Sequence, residues 1–199
     1  MNQADQEWIA STVFTPSGTL ASPVKLWYYP PATQTTSSPS SKPNPQNYFR
    51  RRLCLWIPRR AYKFDFHCPH CNKSLRPKGL YKRLRVVLDI KDWYYLATEY
   101  MYCGCGITIN AWDTRILEQL PIGIRVKFPA LLTLKYACDT SLISFLKSRT
   151  LGNSPTAFLN SLKEIHGETW VKKNIQYMYD CLNHKKSIFL QGAEMTYGS

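Results

Sequence analysis

Residues 66–106 read FHCPHCNKSLRPKGLYKRLRVVLDIKDWYYLATEYMYCGCG. The stretch opens on Cys68-Pro-His-Cys71 and closes on Cys103-Gly-Cys105, with 31 residues between the pairs. Zinc prefers four tetrahedral thiolate or imidazole ligands in a closed structural site, and a cysteine pair on a tight turn aims two sulfurs the same way. Asn72 after the first pair, and Gly104 and Gly106 around the second, tolerate the left-handed backbone that such turns use. Between the pairs, Arg85–Ile90 and Trp93–Tyr102 are rich in β-branched and aromatic residues and are split by the polar Lys91-Asp92. This pattern predicts a β-hairpin that brings the two turns together. The expectation is a zinc-ribbon-like module around one structural Zn2+ held by Cys68, Cys71, Cys103 and Cys105. The second pair is spaced by one residue instead of two, so His67 or His70 is the alternative ligand. Cys-Pro-His-Cys also occurs in thiol oxidoreductases of the thioredoxin type, where the first cysteine caps a helix. Here Pro77 and Gly79 follow too closely for that helix, and no βαβ pattern precedes the motif.

The same region carries most of the charge. The 199-residue chain has a net charge of +13, which favours an anionic partner. Residues 50–91 hold 13 lysines and arginines against two acids, Asp65 and Asp89. Solvated surfaces normally mix signs, and phosphate backbones reward such an excess through counterion release. The candidate phosphate contacts are Arg50, Arg51, Arg52, Arg59, Arg60, Lys63, Arg76, Lys78, Lys82, Arg83 and Arg85. Tyr62, Trp56, Tyr81 and Trp93 interleave with them and can stack on unpaired bases or belong to the core. Arg50-Arg51-Arg52 and Lys82-Arg83-Leu84-Arg85 also resemble short nuclear-import clusters.

Working outward, residues 1–47 read as an N-terminal arm. Val24–Tyr29 suggests a strand ended by Pro30-Pro31, and residues 32–47 have the Ser/Thr/Pro composition of a disordered linker. The β module spans 48–112. It begins with a short strand in which Leu53, Leu55 and Ile57 alternate with Cys54 and Trp56. Pro58 ends that strand or marks an edge. Ile107–Trp112 supplies a third strand. A helical bundle is expected over 113–188. Asp113 caps a short helix before Pro121, Pro129 starts one through Ala137, and Asp139 or Thr140 caps one to about Arg149, closed by Gly152. Ser154-Pro155 starts another, with Phe158, Leu162 and Ile165 on its apolar face. A last helix after Gly167 carries Val171, Ile175, Met178 and Leu182 at the same period. Residues 189–199 form a frayed tail. The last three helices match a helix-turn-helix in length, although a packing bundle is the simpler reading.

The expected fold class is therefore α+β: a disordered arm, a zinc-ribbon-like antiparallel module and a small bundle. Cys54, Cys138 and Cys181 stand alone and fit buried apolar roles. No run of about 18 apolar residues exists, so no membrane span is expected. The polar N-terminus does not resemble a secretory signal, which sets an intracellular, nuclear location as the expectation. No phosphate-binding glycine loop, nucleophile motif or carboxylate cluster is visible. Catalysis and a small-molecule substrate are not expected.

The order FRRRLCLWIPRR, FHCPHCNKSLRPKGLYKRLRVVLD, YYLATEYMYCGC, ILEQLPIGIRVKFPALLTLKYACDTSL resembles a domain family of unknown function found in transposon-like and other large eukaryotic proteins, over roughly residues 49–185. The resemblance implies a metal-binding part followed by helices, and nucleic-acid handling by association with mobile elements. The leading expectation is a zinc-stabilised nucleic-acid-binding protein, with DNA favoured over RNA. The alternative is a zinc-dependent adaptor whose partner is another protein.

Overall fold

In the computed structural model, the described residues are 1–33, 42–147 and 154–196. The centre of the fold is β5 (Trp93–Tyr102), a ten-residue strand that four others share. Its first half pairs in parallel with β2 (Leu53–Trp56) and antiparallel with β4 (Arg85–Leu88). Its second half pairs antiparallel with β3 (Arg76–Leu80) and with β6 (Thr108–Asn110). β1 (Trp27–Tyr28) extends the sheet beyond β2, and the hairpin of β7 (Ala130–Leu132) and β8 (Ala137–Asp139) extends it beyond β4. The result is one curled, mixed sheet of eight strands.

The uninterrupted run Leu53–Ile57 follows from burial on both faces. Cys54 and Trp56 face one core, with Val87, Tyr94, Leu96, Met101 and Ile116. Leu53, Leu55 and Ile57 face a second core, with Tyr95 and Ala97. That second core is closed by α1 (Gln3–Val13), whose Trp8, Ile9 and Val13 are buried in it. Asn2 caps this helix through its side chain. Asp5 is fully buried, and its carboxylate accepts from Tyr95 Oη at 2.9 Å, Arg51 N at 3.1 Å and Trp8 Nε1 at 3.2 Å.

These observations correct the expected fold class in its details. The protein is α+β, but the β part is not a small antiparallel zinc-ribbon module, because the sheet is mixed and wraps α1. The disordered arm is overturned for residues 3–13. The apolar face at positions 4, 8, 9 and 13 finds a sheet face to cover, and the acid that made the segment look solvated is an internal acceptor. The central linker residues 34–41 lie outside the described residues.

The bundle is overturned too. Residues 130–139 form the β7–β8 hairpin instead of a helix beginning at Pro129. Its turn is held by the Arg85 guanidinium, which donates to the carbonyls of Thr133, Leu134 and Tyr136. α3 (Thr114–Leu117) forms with Asp113 as its cap, as its sequence predicts, and α4 (Ile122–Arg125) follows it. α5 (Thr140–Lys147) begins as expected. Gly152 and Arg149, at its predicted end, lie outside the described residues. α6 is one helix, Pro155–Thr196, where two and a frayed tail were expected. Gly167 costs it about 1 kcal/mol, too little to break so long a helix. Its N-terminus is as the sequence predicts, with Ser154 Oγ accepting from Ala157 N. No helix among the described residues is long and apolar enough to cross a membrane.

One buried acid opposes folding. Glu99 is buried beside β3, and its carboxylate accepts from Arg59 N at 2.8 Å. Burial raises its pKa above the usual 4.5, against the opposing pull of Arg59 and Arg60. A carboxylate raised in this way holds its proton more tightly in the folded state, so it loses stability as pH rises through its folded pKa. Glu99→Gln keeps the acceptor for Arg59 N. This variant is expected to be more stable than the parent at pH 7 in urea denaturation, with the difference vanishing below about pH 4.5.

Candidate metal centre

The first cysteine turn is the tip of a small loop anchored by two core residues. Phe66 and Leu75 are both buried, and Leu75 N donates to Phe66 O at 2.8 Å. Inside it, Asn72 N donates to Cys68 O and Cys68 N to Lys73 O, both at 2.8 Å. Asn72 takes the left-handed conformation expected of it, with φ 57°. The second turn joins β5 to β6, with Gly106 N donating to Cys103 O at 3.0 Å and Gly106 at φ 92°. Gly104 has no positive φ.

β3 brings the turns together. It leaves the first turn at Arg76 and pairs Arg76 with Tyr102, the residue before the second turn. The predicted β4–β5 hairpin exists, but the direct connection is β3. That strand escaped the sequence reading because Pro77 and Gly79 lie in it, at a bulge, and its residues are mostly exposed.

The four sulfurs lie within 4.8 Å of one another. Cys68 Sγ is 3.7 Å from Cys105 Sγ, and Cys71 Sγ is 3.3 Å from Cys103 Sγ. Tetrahedral thiolates about 2.3 Å from a zinc ion lie about 3.8 Å apart, whereas a disulfide needs about 2.05 Å. The spacing fits four ligands around a shared centre and does not fit disulfides. Each close contact joins one cysteine from each turn, so a metal here staples the two turns together. His67 and His70 are exposed and are not part of the cluster.

The local backbone favours thiolate. The N–H of His70 points at Cys68 Sγ and, against the opposing effect of burial, lowers that thiol to about 6, helped by the N–H of Cys71. Cys54 behaves oppositely: burial pushes it up to about 12, which makes it an inert core thiol. Cys138 and Cys181 are half-buried. Sequence reading missed Gln119, which clamps the first turn from outside. Its Oε1 accepts from His67 N at 2.8 Å and its Nε2 donates to His67 O at 2.9 Å. Its place two residues beyond α3 gives no sequence signal for that role.

The structure divides the basic residues into two groups. Arg50 donates to Asn47, Arg51 lies over the Tyr95 ring, and Arg52 pairs with Asp89 and stacks on Trp27 and Tyr94. Arg59 pairs with Asp65 and donates to Leu75 O, and Arg85 holds the β7–β8 turn. These five side chains tie the fold together. Arg60, Lys63, Arg76, Lys78, Lys82 and Arg83 are exposed, and none forms an ion pair among the described residues. The last four lie on or just after β3, beside the cysteine turns. Lys78 Nζ is 5.5 Å from the centre of the Tyr100 ring, and Tyr81 packs against both Tyr100 and Trp112. Trp56, by contrast, is fully buried, with its indole donating to Ala111 O at 3.1 Å.

The family model for a domain of unknown function, DUF6729, matches residues 1–197. The chain belongs to this family. The DUF6729 match takes in α1 as well as the cysteine turns, in agreement with a fold in which both share one sheet. No curated protein and no solved structure matches the chain.

Proposed function

We propose that this domain binds nucleic acid through the exposed cations around β3, and that one structural zinc ion holds the strand in place. The observation that carries the reading is the cluster of Arg76, Lys78, Lys82 and Arg83. Arg76 and Lys78 project from β3, which pairs with β5 next to the cysteine turns, Lys82 and Arg83 follow that strand, and none of the four forms an ion pair among the described residues. Arg60 and Lys63 add to the same charge. A set of four thiolates selects zinc or iron–sulfur chemistry, and in a reducing cell the closed tetrahedral site is typical of structural zinc. Zinc would supply a staple between the turns, not a reaction. On this reading the domain is a binding module.

Phosphate contacts confer affinity without reading sequence, so selectivity among sequences is modest. DNA is taken as the favoured ligand over RNA. Nuclear location and an origin in mobile elements fit this reading but are not needed by it. The test is fluorescence anisotropy with labelled duplex DNA, single-stranded DNA and RNA across a salt series. Each duplex phosphate neutralised adds about 0.9 to the slope of log affinity against log salt. Changing Arg76, Lys78, Lys82 and Arg83 together to alanine is expected to lower that slope by about 3 to 4. Absence of binding to all three ligands by zinc-loaded protein contradicts the proposal, as does binding that survives the fourfold change.

A further inference from the structure

α6 meets the rest of the protein through aromatic contacts, Phe158 on Phe145 and Tyr177 on Tyr48, and through polar ones. His166 Nε2 contacts Asp89 O at 2.9 Å, Lys173 pairs with Asp92, and Asp180 accepts from Tyr48 Oη at 2.7 Å. Leu162 is buried on the side that makes these contacts. With 3.6 residues per turn, Val171, Ile175, Met178 and Leu182 fall on the opposite side. They are 46%, 58%, 56% and 58% exposed. Their spacings of four, three and four residues are those of a coiled-coil seam.

The residues that continue this seam carry opposite charges at its two ends. One step toward the N-terminus lies Glu168, and one step toward the C-terminus lies Lys185, both exposed. A second copy of the same helix, laid antiparallel with the two-fold axis between Ile175 and Met178, matches this pattern at every layer. Ile175 meets Met178, Val171 meets Leu182, and Glu168 meets Lys185. A parallel copy in register would put Glu168 against Glu168 and Lys185 against Lys185. The seam faces away from the body of its own chain, so in the antiparallel pair each body lies beyond its own helix and the two do not collide.

We propose that the protein self-associates through α6 as an antiparallel two-helix coiled coil centred between Ile175 and Met178. Four half-exposed apolar side chains per helix, with their flanking residues, bury about 1,000 Å2 in total, which is near the lower limit for a specific interface. The dimer is accordingly weak, with a Kd in the micromolar range, on the order of 1–100 µM. This inference is independent of nucleic-acid binding.

The test is sedimentation equilibrium of the full chain over that concentration range. The expected result is a monomer–dimer equilibrium that Ile175→Asp with Met178→Asp abolishes, while circular dichroism shows the helix content unchanged. Glu168→Lys and Lys185→Glu are each expected to weaken the dimer about tenfold, and the two together to restore it. A parent chain that stays monomeric throughout overturns the proposal and assigns the face to a different partner. A dimer that is indifferent to Ile175 and Met178, or not rescued by the double charge reversal, overturns it equally.

Discussion

Cys103→Ser is expected to cost at least about 3 kcal/mol in urea denaturation of the zinc-loaded protein, a large part of a typical domain's stability. Metal binding is folding free energy wherever the ligands are far apart in the unfolded chain. Cys71 and Cys103 are far apart in sequence yet have their sulfurs at 3.3 Å. Cys103 is itself buried at the junction of β5 and the second turn. With three thiolates left, the restraint on the first turn is lost, and β3, which leaves that turn, loosens with it. Cys68 and Cys103 belong to the first core, whereas the second core, which holds α1, contains none of the four cysteines, so the variant should retain α1 packing while losing protection around residues 66–80. Hydrogen exchange distinguishes that pattern from global unfolding. A variant as stable as the parent would show that the cysteines are not holding a metal.

Asp5→Ala is the second substitution with a large expected effect, about 3–5 kcal/mol, again by urea denaturation. It leaves the Tyr95 hydroxyl, the Trp8 indole N–H and the Arg51 amide without their acceptor inside the protein, at roughly 1–3 kcal/mol for each donor left unsatisfied. Burial and hydrogen bonding to Asp5 hold the Tyr95 hydroxyl up at about 12, so it donates throughout the physiological range. Tyr95→Phe removes one donor together with its need for a partner and is expected to cost about 1 kcal/mol. An Asp5→Ala protein of unchanged stability would mean that α1 is an appendage, as a disordered arm would be.

Those two sites mark what the sequence reveals and what it conceals. The cysteine turns are legible because their chemistry is local: Cys68 and Cys71 sit on one turn, Cys103 and Cys105 on another, and Asn72 and Gly106 are the residue types that a left-handed backbone admits. The β4–β5 hairpin, β6 and the Asp113 and Ser154 caps are local in the same way. α1 is concealed because its defining feature is a long-range one. Asp5 reads as a solvated charge until Tyr95, 90 residues away, turns toward it. β3 is concealed because Pro77 and Gly79 are poor strand residues, tolerated at a bulge with one strand neighbour. Pro129 is a plausible helix start, yet the turn after it is held by Arg85, 48 residues or more distant. The arginines teach a related lesson. Arg52 and Arg59 cannot be told from Arg76 and Arg83 by composition, and only their partners Asp89 and Asp65 separate fold-holding cations from free ones.

The claim on which the rest stands is that Cys68, Cys71, Cys103 and Cys105 hold one structural zinc ion. The most direct measurement is native mass spectrometry of the protein purified under reducing conditions, coupled to thiol alkylation before and after chelation. The expected result is one zinc per chain and slow alkylation of all four thiols, followed by rapid alkylation of the four together once the chelator removes the metal. A metal-free chain whose Cys68 reacts rapidly from the outset, with no change on chelation, would contradict it and return the Cys-Pro-His-Cys turn to thiol chemistry.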